Sequence, residues 1–176
     1  SDTADLTSLF EKISESTGVG IEDLNIEGIV KYEKKWLLFQ RGNGPAGRNG
    51  IFILSGSLEN PNKIDFVSVI LPKEKGIPTT FTDAVVVEDK IYFLATAEDS
   101  NSTYEDGTVL GSWIGVLHPL TFATEFTEKI TNTNKFEGLT VYKNAETEIT
   151  FLLCEDNDSE IQNADIYKLT IKKTTR

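Results

Sequence analysis

Methionine is missing from this 176-residue sequence, and cysteine and histidine occur once each. The lone Cys154 permits no disulfide within the chain, so the fold must stand on its own packing. That is compatible with the cytoplasm and equally with a bacterial periplasm or cell surface. Any serine–histidine chemistry would have to run through His118, and nothing near it resembles a nucleophile elbow. Followed by Pro119 at the end of a strand-like run, it reads as a turn histidine. No apolar run approaches the roughly 18 residues that cross a bilayer, and no signal-peptide pattern opens the chain. Basic residues are also scarce, 17 against 28 acidic, which leaves a net charge of −11. Such a surface repels nucleic-acid phosphates and anionic lipid, so neither class of partner is expected. With Ser1 at its start, the sequence reads as a processed product, a trimmed piece or a fragment.

Core-forming residues are plentiful: 39% of the chain is hydrophobic, with 10 Phe, 5 Tyr and 2 Trp. That supports one packed domain over residues 19–176, preceded by a lead-in over 1–18. Ile26-Glu27-Gly28-Ile29-Val30 organises it, because Phe136-Glu137-Gly138-Leu139-Thr140 is a close copy and Thr82-Asp83-Ala84-Val85-Val86 a looser one. Aligned on their acids, Glu27, Asp83 and Glu137, the copies recur at nearly even intervals. A second apolar run follows each: Trp36 to Arg41, Ile91 to Glu98, and Ile149 to Glu155. A period of this length points to propellers or solenoids.

Alternation and turn chemistry place strands at 26–33, 35–41, 50–56 and 63–71 in a unit spanning 24–72. A second unit, 79–131, has strands at 81–88, 90–97, 112–118 and 121–130. The third, 134–172, has strands at 136–143, 148–155 and 164–171. Leu6, Leu9, Phe10 and Ile13 predict a helix over 4–15 with Gly18 as its stop. The expected fold is therefore all-β and propeller-like, about three four-stranded blades with a short N-terminal helix. Three blades cannot close a ring, so further blades before Ser1 or a second copy of the chain are expected to complete it.

An antiparallel meander sets the start of each first strand beside the end of the second. Glu27 then neighbours Arg41, Asp83 neighbours Glu98, and Glu137 neighbours Glu155 and Asp156, all at one carboxylate-rich mouth. The repeated acid either contacts a ligand or metal, with Glu27, Asp83 and Glu137 as the metal set, or accepts amides from the neighbouring unit and locks the two together. Arg41 and Arg48 flank Gly42-Asn43-Gly44-Pro45-Ala46-Gly47, and either clamp a small anionic ligand or pair with nearby acids. That loop matches G-x-G-x-x-G, but a strand rather than a helix follows, so it reads as a turn. The acidic runs 98–106 and 155–160 are rich in oxygen ligands suited to calcium, although solvated acidic loops are the commoner reading of such runs. The second fails the EF-hand pattern, having no Gly at the sixth position and Tyr167 where the bidentate Glu belongs. Cys154, Trp36 and Trp113 read as packing residues, and the sequons at Asn101 and Asn157 matter only in a glycosylating host.

With Glu-Gly-Ile or Glu-Gly-Leu at the strand start, the segments Asn25–Ile29, Phe81–Val86 and Lys135–Leu139, with Glu98 and Glu155-Asp156, resemble bacterial propellers of the esterase-like phytase and SdiA-regulated group. The resemblance implies a bacterial origin, a propeller and a central channel that holds calcium in some members. Phosphoester hydrolysis is implied only for the phytase-like branch, whose phosphate-binding Lys and Arg cluster is not recognisable here. The expected role is a non-enzymatic module that binds a small anionic ligand, a metal or a protein partner. A calcium-assisted phosphoesterase is the alternative, with Arg41 facing phosphate.

Overall fold

The computed structural model describes residues 5–44, 46–99, 107–156 and 165–173. The described residues are all-β apart from one α-helix, α1 (Thr7–Thr17), and a 3-10 turn at Ile21–Asp23. The helix begins later than expected, at Thr7, with the Asp5 carboxylate accepting the Thr7 amide at 2.9 Å. It ends at Gly18, whose left-handed φ of 69° lets its N–H reach the Ser14 carbonyl. None of the described helices is long and apolar enough to cross a membrane.

Three antiparallel meanders follow. The first comprises β1 (Ile26–Tyr32), β2 (Lys35–Gln40), β3 (Gly50–Gly56) and β4 (Pro61–Ser68). A two-stranded hairpin, β5 (Lys73–Glu74) with β6 (Ile77–Pro78), turns at Lys75-Gly76 and interrupts the link to the second. The second comprises β7 (Thr80–Val87), β8 (Lys90–Asp99), β9 (Thr108–Leu117) and β10 (Thr124–Thr131). The third comprises β11 (Phe136–Asn144), β12 (Glu148–Glu155) and β13 (Ile166–Lys172). Strand β10 starts later than expected because Phe122, at a left-handed φ of 56°, closes a turn on the His118 carbonyl.

The strands pack as three layers with their first strands adjacent, β7 touching both β1 and β11. Alternation along β2 and β8 divides the apolar side chains between two faces, and each face finds a partner. Leu38, Phe52 and Leu54 are covered by Leu9 and Ile13 of α1, so the helix caps the first meander. Leu37, Phe39 and Ile51 meet Phe81, Ile91 and Phe93 of the second, with Phe39, Phe81 and Phe93 stacked edge to face at 5.1 and 5.2 Å. Tyr92, Leu94 and Ile114 meet Phe136, Phe151 and Leu153 of the third. Burying each of these large apolar side chains stabilises the fold by about 1.5–3 kcal/mol.

Each first strand carries a β-bulge at the same place, between Ile26 and Gly28, Phe81 and Asp83, and Phe136 and Gly138. The bulged residues are Glu27, Thr82 and Glu137, and the two intervals between them are equal. This corrects the alignment drawn from the sequence. The structural counterpart of the two glutamates is Thr82, while Asp83 occupies the place of Gly28 and Gly138.

Candidate functional site

The bulges determine what the strand starts do. Gly28 lies against the second meander so closely that a Cβ there would stand 3.1 Å from the Ala84 amide nitrogen. Asp83 accepts two backbone amides, from Ala84 at 2.7 Å and, across the layer boundary, from Leu139 at 2.6 Å. Beside it the buried Thr82 hydroxyl donates to the Phe136 carbonyl at 2.6 Å. Thr82 and Asp83 therefore fasten the second meander to the third. A further fastening recurs along the chain: Asn49 Oδ1 accepts the Phe81 amide at 3.2 Å, and Ser112 Oγ accepts the Phe136 amide at 3.2 Å. Asn49 and Ser112 hold equivalent positions, each just before the third-strand residue that completes the rung of Ile26 or Phe81.

All three meanders meet at Arg41. Its guanidinium contacts Glu27 of the first at 3.3 Å, Glu98 of the second, and Glu137 of the third at 3.5 Å. Lys135 lies alongside, its ammonium 3.3 Å from Glu98, 3.1 Å from Glu137 and 3.5 Å from Asp156. Both cations are buried, with side chains 6% and 4% exposed, and so is Glu98 at 8%. Glu27, Glu137 and Asp156 form the more open rim, at 20%, 28% and 42%. Among the described residues, four carboxylates thus surround two cations. Arg41 Nε and Glu98 Oε1 are buried without a hydrogen-bond partner among the described residues, although Glu98 Oε1 keeps its ionic contact with Lys135.

The electrostatics follow from burial opposed by pairing. Burial pulls the Arg41 pKa down, and Glu98, Glu27 and Glu137 more than offset it, so the guanidinium is held charged. Burial pushes the Glu137 carboxyl above its ordinary value and Asp156 adds repulsion, against the opposing pull of Lys135 and Arg41. Burial likewise raises Asp83, to which the Glu27 charge contributes. Glu155, next to this network, accepts from Asn134 Nδ2 at 2.8 Å and from the Tyr167 hydroxyl at 2.7 Å.

Among the expected site residues, Glu27, Arg41, Glu98, Glu137 and Asp156 converge in one network. Arg48 stands apart, donating to the Gly18 carbonyl at 2.8 Å, so it does not form a clamp with Arg41. The anticipated metal set of Glu27, Asp83 and Glu137 does not assemble either, because Asp83 faces backbone amides while the glutamates face Arg41. No group of three or more His, Cys, Asp or Glu positioned for a metal exists among the described residues. The acidic runs 98–106 and 155–160 lie mostly outside those residues, as do both sequon asparagines. Among the described residues of the Gly42–Gly47 loop no helix begins, as expected of a turn. His118 Nδ1 accepts the Leu120 and Thr121 amides at 3.2 and 3.3 Å, again a turn role. Cys154 is only half-buried, on the third meander.

A family model matches residues 1–171, a span that takes in α1, every member of the network and nearly all of β13. The chain belongs to the Family of unknown function (DUF6929). No curated protein matches it. In this DUF6929 chain the residues that sequence reasoning missed are Lys135 and Thr82. Lys135 stands two positions before Glu137 as Asn25 does before Glu27, a correspondence that marks the place without revealing the charge. Thr82 was concealed by its neighbour Asp83, the more conspicuous residue.

Proposed function

We propose that the three meanders are blades of a β-propeller with their first strands innermost, and that the chain is a non-catalytic binding module. In this reading its carboxylate-rich mouth receives a cationic group. The even spacing of the bulges and the adjacency of β1, β7 and β11 support the propeller architecture. A second copy that completes the ring would appear in light scattering as the mass of a dimer.

The observation that carries the functional reading is the charge surplus at the mouth among the described residues: four carboxylates around two buried cations, the more exposed groups all acidic. A bound ammonium, guanidinium or divalent cation would relieve the repulsion that contributes to holding Glu137 and Asp83 above their ordinary pKa values. An anion would meet net negative charge instead. The phosphoesterase alternative needs Arg41 to face phosphate and Glu27, Asp83 and Glu137 to hold calcium. Arg41 is enclosed by three carboxylates and Asp83 accepts two amides, so the binding reading has the better support.

Thermal shift at low ionic strength, with calcium chloride and with spermidine, tests this reading against matched sodium chloride controls. A ligand at 100 times its Kd stabilises by about 2.7 kcal/mol, a rise of about 5–11 °C for a chain of this size. Glu27→Gln with Glu137→Gln should abolish the rise. No shift with either cation refutes the reading, and hydrolysis of a phosphoester in calcium would favour the alternative.

A further inference from the structure

A second feature lies away from the mouth, where the outer parts of the second and third meanders splay apart. The cleft between them has a volume of about 1170 Å³, above the usual 300–1,000 Å³ of small-molecule sites. Tyr92, Ile114 and Ile149 give it an apolar floor, and β10 and β13, the latter with Leu169 and Ile171, border it as walls. Each wall is the last strand of its sheet and has an unpaired outer edge among the described strands. Phe126, 40% exposed, stands on the β10 wall.

The corresponding wedge between the first and second meanders shows what such a space accommodates. There the chain fills it itself: Val69 and Leu71 from the link between β4 and β5, with Phe122, are buried in the shared core. The link between β10 and β11 is only residues 132–135, too short to do the same. The cleft charges select the occupant. Lys90 pairs with Glu125 at 2.7 Å, and Lys173 with Glu88 at 2.9 Å. Glu128, opposite Ile114 in the ladder, and Asp89 also line the cleft, and neither side chain has an ion pair or hydrogen bond among the described residues. Two more lysines line the cleft: Lys129 pairs with Glu74 at 3.1 Å, and Lys172 is on the alternate face of β13 from Leu169 and Ile171.

We propose that this cleft is a docking groove for an extended segment of a partner protein, with alternating apolar side chains and a Lys or Arg that meets Glu128. The segment adds along a free strand edge, so main-chain hydrogen bonds supply affinity while the apolar floor and Glu128 supply selectivity. This does not depend on the mouth binding anything.

The test is selection of phage-displayed random twelve-residue peptides on the intact protein, followed by titration of synthetic versions of the enriched peptides. Enriched sequences should alternate apolar residues around Lys or Arg, and shift amide NMR signals of β10 and β13. Glu128→Lys, with an unchanged melting temperature, should weaken binding at least tenfold, and Phe126→Ala should weaken it as well. Failure to enrich peptides, or binding that leaves β10 and β13 unshifted and ignores both substitutions, overturns the proposal. Concentration-dependent dimers abolished by Glu128→Lys would assign the groove to a second copy of the chain and likewise overturn it.

Discussion

Replacing Arg41 with methionine separates a network that holds the molecule together from one that merely decorates it. The substitution preserves much of the side-chain volume but leaves Glu98, 8% exposed, and the partly buried Glu27 and Glu137 without the cation that joins them. Lys135 still reaches Glu98 and Glu137 but is 4% exposed and already shared among three carboxylates. Removing one partner of a buried ion pair costs about 3–5 kcal/mol, because the remaining charge keeps its desolvation penalty. At about 2–4 °C per kcal/mol for this size, the melting temperature should fall by about 6–20 °C. Urea denaturation at pH 7 gives the free energy directly. In Arg41→Met the Glu137 carboxyl, already raised by burial, loses the opposing pull of Arg41 and rises further above its unfolded value. Its penalty is complete above the folded value and disappears as pH falls, so the gap from the parent protein should narrow on acidification. Adding Glu98→Gln should recover part of the loss, giving a coupling of at least about 1 kcal/mol. A loss below about 1 kcal/mol, or strict additivity with Glu98→Gln, would refute the claim that Arg41 joins the three layers.

Three further outcomes follow from the same geometry. Thr82→Val keeps the shape but leaves the Phe136 carbonyl without its hydroxyl donor, and should cost about 1–3 kcal/mol in urea denaturation. Gly28→Ala places a Cβ 3.1 Å from the Ala84 nitrogen, so β1 and β7 must part; a loss of about 1–3 kcal/mol is expected by thermal melting. Glu137, with its pKa raised mainly by burial, adds relative stability below the ordinary carboxylate value that is lost as pH rises through the folded one. Glu137→Gln should remove that slope from a pH series of melting temperatures.

The strands were legible because apolar alternation and tight turns are local signals. Glu33 and Glu88 in those turns even share a left-handed φ, at 53° and 55°. The mouth was legible in outline, since antiparallel pairing alone brings Glu27 near Arg41. Its internal logic was not. A bulge shifts register without altering composition, so an acid followed by a small residue seemed to align Asp83 with Glu27, while the true counterpart Thr82 carries no charge. The available clue was that spacing becomes equal, rather than nearly so, once Thr82 replaces Asp83 in the alignment. Lys135 was invisible for a related reason, because its contacts join strands far apart in sequence. The β5–β6 hairpin is too short on either side to show a period.

The bulges also separate what the chain must count from what it need not. From the ladder position before each bulge to its partner on the second strand, the stretches Ile26 to Gln40 and Phe81 to Ala95 are equal in length, whereas Phe136 to Glu155 is longer. The additional length lies in the β11–β12 hairpin, beyond the last bulge, and leaves that bulge in the same place on its strand. Natural variants and engineered insertions should therefore accumulate in the outward hairpins, where a loop can lengthen without moving Glu27, Thr82 or Glu137. An insertion of even one residue between Asn25 and Gly28, or between Lys135 and Gly138, would reverse which side chains face the interior.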